Sequence, residues 1–126
     1  MFVCSRIWIR EDSKSYLGAG RVELLERIAE SGSISKAAKQ MKMSYKAAWD
    51  SVDIMNKISH PNELVLSNAG GGKNSGTQLT SEGKKAVEVF KNLQALKEEF
   101  FENFKDCKDF DEFNTRIETL RKKING

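Results

Sequence analysis

The side chains best equipped to hold another molecule are Ser33, Ser35, Lys36, Lys39, Lys42, Ser44, Tyr45, Lys46 and Trp49, gathered within one short stretch. Ammonium groups neutralise phosphates, hydroxyls hydrogen-bond to phosphate oxygens, and aromatic or polar side chains meet the edges of bases. The chemistry on offer is therefore recognition of a polyanion, with DNA as the leading expectation. Charge is focused in the same place. Residues 33–60 carry Lys36, Lys39, Lys42, Lys46 and Lys57 against Asp50 and Asp53, which accounts for the whole formal charge of +3. Residues 1–32 balance at zero, residues 61–94 add one positive charge, and residues 95–126 remove one.

A second cationic feature is Lys73, followed by Asn74, in the glycine-rich run "AGGGKNSG". A phosphate-cradling P-loop needs Gly-Lys-Ser/Thr between a strand and a helix. Here Asn74 follows the lysine and a second strand follows the loop, so Lys73 and Asn74 are expected at the tip of a hairpin, against a phosphate backbone.

Catalysis is not expected. The chain has one histidine, His60, no nucleophile placed beside a base and no carboxylate pair in an apolar setting. Cys4 and Cys107 lack the partners and spacing of a zinc site. No metal and no cofactor are expected. With 31% charged and 39% hydrophobic residues, the 126-residue chain suits a single soluble core. It shows no basic-then-apolar leader and no run of membrane-spanning length, so a cytoplasmic protein without membrane contact is expected.

Elements that position the basic stretch follow from periodicity. "FVCSRIWIR" alternates as a strand, and "EDSKSYLGAG" supplies turn chemistry. From Arg21, Leu24, Leu25, Ile28 and Ala29 mark one face of a helix that Gly32 closes. Ser33 caps a short second helix with Ile34, Ala37, Ala38 and Met41 inward, and Ser44 caps a third with Ala47, Ala48, Val52 and Met55 inward. Tyr45, Lys46, Trp49, Asp53 and Asn56 are left outward, with Asp53 and Asn56 read as capping or solvent residues. The alanines permit two short helices to cross steeply at a tight turn. Strands over 63–67 and 77–79 then form a hairpin, and Thr80 caps a long helix whose stripe is Val89, Leu93, Leu96, Phe100 and Phe104. Asp109 with Glu112 begins a last helix carrying Phe110, Phe113, Ile117, Leu120 and Ile124.

This order is that of a winged helix-turn-helix: mainly α, with a small β-hairpin wing, followed by C-terminal helices. The expected division is a DNA-binding domain over 1–90 and a helical extension over 91–126 that contributes to dimerisation. Such a unit lays its third helix in the major groove and its hairpin along the backbone.

The segments "GAGRVELLERIAESGSISKAAKQMKMSYKAAWDSVDIMN" and "AGGGKNSGTQLTSEGKKAV" resemble the N-terminal DNA-binding domain of the molybdate-responsive (ModE-type) transcriptional regulators, themselves similar to the LysR helix-turn-helix. The resemblance covers residues 18–90. It implies a homodimeric regulator on double-stranded operator DNA, with a recognition helix over about 44–58 and a wing over about 68–77. Ser33, Ser35, Lys36, Ser44, Tyr45, Lys46, Trp49, Lys73 and Asn74 are the expected DNA contacts, and reversing the charge at Lys46 is expected to weaken duplex binding and flatten its salt dependence. Family members often place glycine where this chain has Lys42. They also carry C-terminal domains that bind molybdate or tungstate, which this sequence is expected to lack, leaving any effector unknown. Two rival functions are a winged-helix module that holds another protein and an oxyanion sensor.

Overall fold

The computed structural model describes residues 1–68 and 76–126. Two compact units make up the chain: Ile7–Lys91, and Met1–Arg6 together with Asn92–Gly126.

The first unit opens with an antiparallel hairpin of β1 (Trp8–Glu11) and β2 (Lys14–Gly18), with Ile9 opposite Leu17 and a bulge between Ile9 and Arg10. Only part of the strand expected over 2–10 is paired, and the segment expected to be a turn is largely β2. The turn itself needs just Asp12 and Ser13, because Asp12 adopts φ 54°, a left-handed conformation that aspartate tolerates. That leaves Tyr16 and Leu17 free to lean on the core.

Three helices follow: α1 (Ala19–Ser31), α2 (Ile34–Gln40) and α3 (Tyr45–Ser59). Gly32 ends α1 at φ 71°, its N–H donating to Ile28 O, as a left-handed cap requires. The core gathers Leu24, Leu25 and Ile28 from α1, Ile34, Ala37 and Ala38 from α2, and Ala48, Val52 and Met55 from α3. Leu64, Val65 and Phe90 close it. Two inward assignments from the sequence fail, since Ala29 and Ala47 are exposed. On α1 the buried arc takes Val22 instead, a bulkier side chain that removes more apolar surface from water.

β3 (Val65–Asn68) and β4 (Gly76–Leu79) pair antiparallel, Val65 opposite Leu79, as the wing strands of a winged helix-turn-helix. The loop joining them lies outside the described residues. Thr80 then starts α4 (Ser81–Phe101) as the sequence indicates: Gly83 N–H donates to Thr80 Oγ1 at 3.0 Å, while that hydroxyl donates to Glu63 O at 2.6 Å. Gly83 is buried inside the helix because Leu64 passes directly over it. A Cβ there would overlap the Leu64 carbonyl oxygen.

In the second unit, a 3-10 turn over Glu102–Phe104 ends the α4 segment and α5 (Phe110–Asn125) follows. Asp109 Oδ1 accepts from Glu112 N–H at 2.8 Å, and Glu112 Oε2 accepts from Lys108 N–H at 2.8 Å, so the helix start is capped in both directions. Phe104 stacks on Phe113 at 5.5 Å and meets Phe100 edge-on at 5.9 Å. The N-terminal ammonium donates to Cys107 O at 2.8 Å, which ties residues 1–6 to this unit instead of to the β1 hairpin. Along α4 the apolar stripe is not covered: Val89, Leu93, Leu96 and Phe100 are all exposed, and only Phe104, beyond the helix, is buried. Among the described residues, no helix is long and apolar enough to cross a membrane.

Candidate nucleic-acid interface

The turn between α2 and α3 sets the geometry of the surface. Lys42 N–H donates to Lys39 O (3.1 Å) and Met43 N–H to Ala38 O (3.0 Å), the paired bonds of a Schellman ending. That motif puts one residue in the left-handed region, and here it is Lys42, at φ 56°. Glycine would adopt this conformation without the Cβ conflict a lysine bears. The lysine keeps the turn and adds an exposed cation at its apex.

Both expected caps form. Ser33 Oγ accepts from Lys36 N–H and Ser44 Oγ from Ala47 N–H, each at 3.1 Å. A serine hydroxyl that accepts in this way still has its own hydrogen to donate, so capping leaves each free to reach an acceptor such as a phosphate oxygen. Ser35 and Lys36 are exposed on the first turn of α2. Tyr45 and Trp49 project from α3 with 56% and 47% of their surface exposed, which removes Trp49 from the core. Lys73 and Asn74 lie outside the described residues.

Lys46 is exposed but not alone: its Nζ meets Asp50 Oδ2 at 2.9 Å. The hydrogen bond to Asp50, and then the aspartate's charge, hold the Lys46 ammonium above the ordinary lysine pKa. About two turns further along α3, Lys57 Nζ meets Asp53 Oδ2 at 2.8 Å with the same effect. Asp53 is thus an ion-pair partner. Positions 46, 50, 53 and 57 are spaced by four, three and four, so at 3.6 residues per turn they share a stripe about 60° wide. It lies roughly opposite the buried Ala48, Val52 and Met55. Tyr45 and Trp49 border it on one side.

Asn56 departs from its expected role. Its side chain faces neither a cap nor solvent; Oδ1 accepts from Leu64 N–H (2.9 Å) and Val65 N–H (3.1 Å), and Nδ2 donates to Val65 O (3.0 Å). This three-bond clamp fastens the start of β3 to α3, so the wing takes its position from the same helix that carries Lys46 and Trp49. Nothing local in the sequence marks it, because the partners are backbone groups eight and nine residues away. The Lys46–Asp50 and Asp53–Lys57 pairs, by contrast, carry an i,i+4 signal legible in the sequence.

No protein-family model matches the chain. It is 42% identical over 90 residues to the molybdenum transport protein ModE of Azotobacter vinelandii, covering 71% of this chain and 33% of that protein. It is 40% identical over 91 residues to the transcriptional regulator ModE of Haemophilus influenzae, covering 72% and 35%. With the DNA-binding transcriptional dual regulator ModE of Escherichia coli K12 it shares 33% identity over 99 residues, covering 78% and 37%. The chain spans about a third of the length of these curated relatives.

Proposed function

We propose, from the premise that this chain belongs with the ModE regulators over the residues it shares with them, that it is a sequence-specific DNA-binding transcriptional regulator. The recognition helix is α3 with its Ser44 cap, seated in the major groove, and the wing strands β3 and β4 lie beside the adjoining backbone. The observation that carries this reading is the outward face of α3. Lys46 stands exposed opposite a face sealed into the core, with Tyr45 and Trp49 exposed along one flank, beside a turn that bears Lys42 and close in sequence to the cationic first turn of α2. A groove-binding helix needs such a division of faces.

Salt titration of binding to a duplex tests it. Binding weakens as salt rises, and Lys36→Glu, which removes a phosphate contact from α2, flattens the log–log slope by about 0.9. A slope that does not respond to Lys36, or binding indifferent to salt, contradicts the reading.

The protein acts as a homodimer in this proposal, because Val89, Leu93, Leu96 and Phe100 form an exposed apolar stripe at coiled-coil spacing. Two-fold symmetry then sets operator half-sites about 34 Å apart. Leu93→Glu with Leu96→Glu yields a monomer in sedimentation analysis; a dimer that survives both changes excludes this seam.

A further inference from the structure

We propose that Asp50, acting with Lys46, is a specificity-determining residue that selects cytosine in the operator. The inference rests on the placement of α3 in the major groove.

A carboxylate on a DNA-facing surface is repelled by phosphate, so its place there calls for a different partner. Asp50 lies within the outward stripe of α3, at the edge away from Tyr45 and Trp49, with its side chain 47% exposed. One oxygen, Oδ2, is held by Lys46 Nζ. The other, Oδ1, makes no hydrogen bond among the described residues. In the major groove only two groups can donate to it: the N4 amino group of cytosine and the N6 amino group of adenine. Adenine sets the N7 lone pair beside N6, where it faces the carboxylate unfavourably. Cytosine has no acceptor at that place, so cytosine is preferred.

Lys46 completes the match. Its ammonium donates to guanine O6 and N7. In a G·C pair the O6 acceptor and the N4 donor lie side by side at hydrogen-bond distance, about 3 Å. The Lys46–Asp50 couple presents a donor and an acceptor 2.9 Å apart. The two couples are complementary in one strand orientation only, with guanine under Lys46 and cytosine under Asp50. Asp53 and Lys57 form a similar couple but sit further toward the C-terminal end of α3, and Asp53 is less exposed, at 33%. The N-terminal part of a recognition helix is the part that reaches base edges, which favours Asp50. As a helix-surface ion pair alone, the couple would contribute little to stability and nothing to base preference.

Selection from a random duplex pool, run in parallel with wild type, Asp50→Asn and Asp50→Ala, tests this, with circular dichroism confirming that each variant is folded. Wild type enriches a motif with cytosine fixed at one position of each half-site. Asp50→Asn moves that position alone toward adenine, whose N6 and N7 an asparagine amide contacts together, by roughly tenfold. Asp50→Ala erases the preference there and keeps the rest of the motif. Identical motifs from wild type and Asp50→Asn overturn the role of Asp50 while leaving DNA recognition standing. If wild type enriches nothing, DNA recognition itself fails and Asp50 falls with it.

Discussion

Replacing Asn56 by alanine separates two questions, how stable the first unit is and how well it holds its wing. The change removes the acceptor of Leu64 N–H and Val65 N–H and the donor to Val65 O. Both residues are buried, Leu64 at 0% and Val65 at 3% exposure, so water cannot readily replace the lost partner. At about 1 kcal/mol per ordinary hydrogen bond, the three together come to about 3 kcal/mol, a large share of the stability of a small domain. Asn56→Asp keeps the acceptor for both N–H groups but turns a carboxylate toward the Val65 carbonyl. It should cost less than alanine, about 1–2 kcal/mol. Urea unfolding at neutral pH measures both, with an unchanged slope expected because the surface exposed on unfolding is unchanged. Below the transition, the alanine variant should bind a duplex several-fold more weakly than wild type, since β3 is no longer pinned to α3. A loss under about 0.5 kcal/mol for Asn56→Ala would refute the clamp, because changes that small are typical of unremarkable surface sites.

Lys42→Gly should stabilise the fold by about 1 kcal/mol, relieving the left-handed backbone at φ 56°, while weakening duplex binding through the lost cation; thermal melting and a binding titration check the two opposite signs. Gly83→Ala should destabilise by about 2 kcal/mol even though alanine is the better helix former by about 1 kcal/mol, because its Cβ meets the Leu64 carbonyl; a stabilised variant in urea unfolding would contradict that packing. Glu112 is held below the ordinary carboxylate value of 4.5, first by the Lys108 N–H and then by Arg116. A depressed carboxylate stabilises above its unfolded pKa and loses that contribution as pH falls through the folded value. Melting temperature should therefore drop more for wild type than for Glu112→Gln between about pH 6 and about pH 3, and equal drops would remove Glu112 from the account.

Local rules in the sequence determined much of this protein. Ser33, Ser44, Thr80 and Asp109 each cap the helix that their position announces, because a side-chain oxygen one residue before a helical run satisfies an otherwise orphaned N–H. Gly32 ends α1 for the matching reason at the other terminus. The spacing of Ala48, Val52 and Met55 fixed the buried side of α3 and so, by elimination, the side that carries Tyr45, Lys46 and Trp49. Periodicity placed faces well but not their edges: Ala29 and Ala47, small residues at the rim of an apolar arc, proved exposed. The β1–β2 hairpin was half hidden because its turn needs only two residues and polar neighbours masked β2. Tertiary structure alone decided the rest. Asn56 and Gly83 both owe their roles to the Leu64–Val65 backbone crossing them, a contact between distant segments that leaves no periodic trace. Whether Phe100 and Leu96 face a core or water likewise depended on what packs beside α4, and the spacing of an apolar stripe is the same in either case.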